Sequence, residues 1–185
     1  VRPSHTYSSR WIPNPVSSVG YTVAARLEQG RPVFIHDDGQ GLWTLTSSAD
    51  FAVGLAGLLG NPAALNDAFQ ITSDEVLTWN QIMAEISLAL GVAAPAIVHI
   101  PTEVICEVEP VMHDKLKGDK AHPGVFDCAK VKRLVPDFAC RTGFREGIRA
   151  AVAWFREDPS RQRPDASVDA LFDRVIAAWD ARRRA

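Results

Sequence analysis

The chain has 185 residues, 46% hydrophobic and 23% charged, which is enough for one soluble domain with a real core. With 20 Lys plus Arg against 22 Asp plus Glu the net charge is −2, so no overall field draws the chain to nucleic acid or to an anionic membrane. Three widely spaced cysteines do not make a disulfide framework and read as reduced thiols of a cytoplasmic protein, and no apolar run approaches the ~20 residues of a membrane helix.

The opening "VRPSHTY" fits a short strand that runs into a loop. With an apolar, β-favouring Val1 and no Met before it, the chain is expected to begin in mid-element. Residues 10–19, rich in Pro, Ser and Asn, read as a loop, and Tyr21–Gln29 as a short helix stopped by Gly30 and Pro32. Pro32–His36 is a strand, "HDDGQG" a hairpin turn, and Leu42–Thr46 a second strand. Ser48 is placed to cap a helix running to Leu59, with Phe51, Leu55, Leu58 and Leu59 as its apolar face.

Ala68–Thr72 is the next strand. Thr78 followed by Gln81 forms a capping-box pattern that opens a helix to Leu90, with Trp79, Ile82, Met83, Ile86 and Leu90 on one face. Ala96–Ile100 is a strand, Glu103–Asp119 a helical stretch broken at Pro110, and Phe126 part of a short extended piece. Ala129–Leu134 is a helical turn, and Thr142 is placed to cap a helix that carries Phe144, Ile148, Val152 and Phe155. Residues 1–158 would form the main body, 159–166 a linker, and 167–185 an amphipathic helix. Val168, Leu171, Phe172, Val175, Ile176 and Trp179 make that helix's stripe, which packs either on its own domain or on a second copy in a homodimer. The terminal Arg182–Arg184 run complements the negative end of that helix.

The alternation of strands and helices argues for an α/β fold. There is no Gly-rich phosphate loop after a strand, and the strands are too few for a self-sufficient doubly wound sheet. The histidines form no HxH or HxxxH pair and there is no Cys-x-x-Cys, so no metal ligand is assigned. The carboxylates and glycines of "HDDGQG" are suitable for a metal or phosphate loop, but the plain turn is the preferred reading. His113-Asp114 with Lys115 and Lys117 reads first as a solvated face and second as a binding cluster. No G-x-S-x-G nucleophile is present. Cys106 falls in an apolar pattern, whereas Arg141 beside Cys140 is expected to lower that thiol's pKa. Trp43, on a short strand after the turn, stands where a ligand could lie.

Taken in order, four segments resemble the C-terminal half of the extended short-chain dehydrogenase/reductases, the NAD-dependent epimerase/dehydratase family. "VRPSHTY" is similar to the R-P-x-x-x-Y segment on that family's sixth Rossmann strand. "PVFIHDDGQGLWTLTSSADFAVGL" resembles its G-D-G turn, short strand and D-x-A helix, and "AFQITSDEVLTWNQIMAEISLALG" its "T-w-n-E-i" block. "KGDKAHPGVFDCAKVKRLVPDF" with "GFREGIRAAVAWF" resembles the closing "E-G-l … W" segment.

The resemblance implies the C-terminal part of an extended Rossmann-type protein: a few late sheet strands plus a small mixed α/β substrate-binding subdomain. It implies that a missing N-terminal Rossmann half holds the dinucleotide loop and the Tyr-x-x-x-Lys pair, since neither occurs here and no catalytic residue carries over. NAD or NADP would bind the intact parent and not tightly to this chain alone. Pro3, Ser4 and His5 are nominated beside the cofactor's nicotinamide end, and Tyr7, Trp43, Lys115 and Lys117 beside a small-molecule substrate. Trp43 and Leu116 stand where nucleotide-sugar-binding members carry Arg, and Asp37 replaces the first Gly of G-D-G. These departures argue for a less charged substrate. The implied function is the substrate side of an epimerase, dehydratase or reductase, inactive alone. The alternative is a non-catalytic relative serving as a binding or RNA-associated module, against which the net charge of −2 counts.

Overall fold

The computed structural model describes residues 1–185. In chain order its elements are β1 (Arg2–Pro3), β2 (His5–Tyr7), α1 (Thr22–Glu28), β3 (Val33–His36), β4 (Leu42–Trp43), β5 (Leu45–Ser47) and α2 (Ser48–Leu58). There follow β6 (Gln70–Ile71), β7 (Leu77–Thr78), α3 (Trp79–Leu90), β8 (Ile97–Ile100), α4 (Thr102–Val108), α5 (Met112–Lys115), α6 (Ala129–Leu134), α7 (Phe144–Arg156) and α8 (Ala166–Arg184). A π-helical turn spans Leu116–Lys120, and short 3-10 turns span Pro62–Ala64 and Pro159–Arg161.

The first extended segment is shared between two neighbours. β1 runs parallel to β6, and β2 parallel to β5 with His5 opposite Leu45. β3 runs parallel to β8 with Val33 opposite Ile97, and β4 pairs antiparallel with β7. The expected hairpin across "HDDGQG" is therefore not formed: β3 and β4 take partners far along the chain. The turn itself is present, with Asp37 and Gly39 at positive φ. It reverses nothing between paired strands. Instead the Asp37 carboxylate accepts from the Thr102 N–H and hydroxyl at 2.8 and 2.7 Å and so holds the start of α4.

The helix predictions meet mixed outcomes. Thr78 and Gln81 make the full capping box, Gly91 closes α3 in the left-handed conformation, and all five residues of its predicted face are buried. α2 ends one residue early, because Leu59 turns extended and lies exposed; Ser48 is its first helical residue, and no side chain caps it. α7 starts after Gly143, so Thr142 is not its cap. The Phe144 N–H is taken instead by the Glu75 carboxylate at 2.7 Å and the Thr142 N–H by Asp50 at 2.9 Å. Both negative charges suit the positive end of the helix.

The main core joins α1, α3, α7 and α8 around β3. A smaller apolar cluster, including Leu58, Phe69, Val131 and Phe138, lies between α2, β6 and α6. The α8 stripe packs on the chain's own α1, α4 and β3, so that face is not left for a second copy. Arg26 on α1 fixes it there. Its guanidinium is buried and bonds Asp169 and Asp173 of α8, each at 2.7 Å, and the Pro32 carbonyl at 2.9 Å, with the Phe172 ring 5.1 Å away.

Candidate functional site

Where β1, β2 and β4 meet, a cleft of about 380 Å³ opens between the loop of residues 10–19 and the π-turn at Leu116–Lys120. That volume is at the low end for a small-molecule site, ~300–1,000 Å³. Four nominated residues meet in it: Pro3, Ser4, His5 and Trp43. Tyr7 does not line it. Its ring lies under α7 against Phe144, where Gly147 leaves no room for a side chain: a Cβ there would stand 1.9 Å from the Tyr7 hydroxyl. Lys115 lies in a neighbouring hollow with its Nζ on the Val16 carbonyl, and Lys117 borders a separate hollow beside Thr102 and His122. His113 and Asp114 are solvated, and Asp38 folds back on the Gln40 N–H.

Each wall has a local cause. Asn14, buried, bonds the Ile12 and Ser18 carbonyls and accepts from the Ser18 N–H, and the Trp11 indole donates to the Ser18 carbonyl at 2.7 Å. These bonds hold the Pro-rich loop in one shape with Trp11 on the cleft. On the other side the His36 Nε2 donates to the Lys120 carbonyl at 2.9 Å and pins the π-turn to β3. Gly124 packs against the Trp43 ring and forms a bridge with it, so the extended piece expected at Phe126 is confined to Gly124, and Phe126 stands on the rim, 44% exposed.

The chemistry centres on His5. The Trp43 indole N–H donates to His5 Nδ1 at 2.9 Å, which places the proton of the neutral imidazole on Nε2. Nε2 has no protein partner and keeps contact with solvent. Burial first, then the Lys120 charge, lower the His5 pKa to about 4, with Asp119 opposing. His5 is therefore a neutral donor at physiological pH. Lys120 was not singled out from the sequence. Its side chain is 6% exposed, its Nζ bonds Asp119 at 2.9 Å, and the Trp43 ring is 6.0 Å from it. No local pattern marks it, because its burial comes from the π-turn folding over Trp43. Thr44 also lines the cleft, and its buried Oγ1 has no partner in the protein.

The thiols lie elsewhere. Cys128 bonds the Thr72 hydroxyl and carbonyl in the smaller cluster. Cys140 is corrected: burial, then the Asp50 carboxylate, push its pKa up to about 12, and Arg141 does not lower it. Cys106 is buried in α4.

Fold and cleft together define a class: an α/β fold of short, mostly parallel strand pairs covered by helices, with a cleft of small-molecule size. No protein-family model matches the chain, and no curated protein matches it. Solved structures do. A UDP-glucose 4-epimerase of Thermotoga maritima, solved with UDP-glucose, is similar with a TM-score of 0.62 at 21% identity, over 84% of this chain and 45% of that one. An epimerase of Methanothermobacter thermautotrophicus gives 0.64 at 18% identity, over 86% and 43%. A UDP-glucuronic acid 4-epimerase of Bacillus cereus, solved with UDP-glucuronic acid and NAD, gives 0.63 at 13% identity, over 84% and 44%. The chain has the fold of the C-terminal part of these Rossmann-type epimerases and spans less than half their length.

Proposed function

We propose that this chain is the substrate-side half of an NAD(P)-dependent epimerase- or dehydratase-like enzyme of the cytoplasm, and that the cleft is where substrate meets the nicotinamide. The observation that carries the reading is the convergence of Pro3, Ser4, His5 and Trp43 on one cleft in an epimerase-like fold. The residues present fit the nicotinamide end of the cofactor. His5 brings a free N–H to a space of small-molecule size. They do not include a Gly-rich backbone cradle for the dinucleotide phosphates, which this reading assigns to the Rossmann half. NAD(P), when bound, supplies the acceptor and donor of hydride.

The chain's own residues then have separable tasks. Pro3, Ser4 and His5 border the nicotinamide end. The His5 Nε2–H donates to a ligand oxygen, and Trp43 keeps that proton on Nε2. Trp11 and Phe126 exclude water from the rim. Tyr7, Lys115 and Lys117 are given no ligand contact, since they do not line the cleft.

The test is hydride transfer. The 185 residues alone are expected to bind NADH or NADPH weakly and to turn over no linked substrate, and joining them to the dinucleotide-binding half is expected to restore both. Turnover by the chain alone, or no cofactor binding by the joined protein, would contradict the proposal.

A further inference from the structure

Resting on that reading of the cleft, we infer that it selects an unphosphorylated sugar ring and turns away nucleoside-diphosphate sugars, with Asp119 as the residue that sets this choice. Lys120 is the only Lys or Arg lining the cleft, and its ammonium is already paired with the Asp119 carboxylate at 2.9 Å. His5 adds no charge, because the Trp43 indole fixes it as a neutral donor. The cleft is thus electrically neutral. A diphosphate placed in it would lose water and meet one cation whose charge is already paired, together with a like charge on Asp119. The cations of the neighbouring hollow past Ser17, Lys115 and Arg163, do not line the cleft, and Lys115 Nζ donates away from it to the Val16 carbonyl.

The remaining groups suit a ring rich in hydroxyls. Lys120 Nζ uses one of its three donors on Asp119, and His5 Nε2–H is unpaired, so three N–H donors await neutral oxygens. Ser17 lines the same space, as does Ser4, whose hydroxyl already shares one bond with Thr46. Trp11, Trp43 and Phe126 supply apolar ring surface for the C–H face of a sugar.

The experiment is saturation-transfer NMR on the 185-residue chain with a panel of methyl hexopyranosides and pentopyranosides, set beside UDP and UDP-glucose, on the parent, Phe126→Ala and Asp119→Asn. Phe126 and Asp119 are both exposed enough to change without loss of the core. At least one glycoside is expected to receive saturation from the parent's aromatic protons and to lose most of it with Phe126→Ala. UDP is expected to bind the parent poorly and to bind Asp119→Asn at least about tenfold more tightly, since one like charge at close range is gone. UDP-glucose binding the parent while no glycoside binds, or UDP affinity unmoved by Asp119→Asn, would overturn the inference and leave the substrate-cleft reading standing. Absence of binding by both classes would overturn both.

Discussion

The Arg26 anchor and the His5 cleft are built from the same materials, rings and charged side chains brought together over long sequence distances, but to opposite standards. At the anchor every guanidinium nitrogen of Arg26 has an acceptor. Arg26 bonds two carboxylates and two carbonyls, and Arg31 bonds the same two carboxylates from the other side. At the cleft the donors are held in place but left unanswered: His5 Nε2 has no partner, Thr44 Oγ1 has none, and Lys120 spends one bond of three. The anchor is closed on itself, whereas the cleft leaves N–H groups of His5 and Lys120 unspent.

The comparison breaks most visibly at the anchor. Arg26→Ala removes the bonds to Asp169 and Asp173 and the packing on Phe172, and is expected to cost about 3 kcal/mol in urea unfolding. A loss under ~1 kcal/mol would show that the network is ornamental. Next in size, Gly147→Ala drives a methyl into the Tyr7 hydroxyl and is expected to cost about 2 kcal/mol. Tyr7→Phe removes a buried hydroxyl that has no partner and is expected to be neutral or stabilising by up to ~1 kcal/mol. It should also relieve part of the Gly147→Ala defect in the double variant, as adjoining sites do. Strong destabilisation by Tyr7→Phe would mean that the hydroxyl has a partner after all.

The pH response sharpens the contrast further. His5, with its pKa lowered to about 4, and His36, also lowered by burial, fold in the neutral form. The unfolded chain therefore takes up more protons as pH falls. Their contribution is fully present above pH ~6.5 and is lost as pH falls toward 4. Urea midpoints measured from pH 7 to pH 4.5 should fall, and less steeply for His5→Gln than for the parent. Parallel curves would refute the buried neutral imidazole. The smallest effect is expected at the rim: Phe126→Ala should change stability by less than ~0.5 kcal/mol, since the side chain stands 44% exposed, while its effect falls on binding.

What could be read from the sequence follows the range of the interactions. The Thr78–Gln81 capping box, Gly91 and the α3 face are local, and they stand as read. The β3 and β4 pairings are long-range, and there an Asp-Gly turn misled, because a turn signal says nothing of which strands pair. α7 shows the same limit: Thr142 is a good cap by type, but Glu75 and Asp50 reach its N-terminus from elsewhere in the fold. In the cleft, Pro3, Ser4, His5 and Trp43 were reachable through the order of segments. Asn14, Lys120 and Thr44 were not, since a buried hub, a covered ammonium and an unpartnered hydroxyl exist only once the loops have closed.

The central claim is that this chain works with a dinucleotide-binding half. Its most direct test is to isolate the product from its own cell, weigh it intact and assay it for bound or titratable NAD(P)H. The account predicts a species larger than 20.2 kDa by about 150 residues, or a tight complex with such a half, that binds the nicotinamide cofactor stoichiometrically. A lone 20.2 kDa product with no affinity for either cofactor would contradict it.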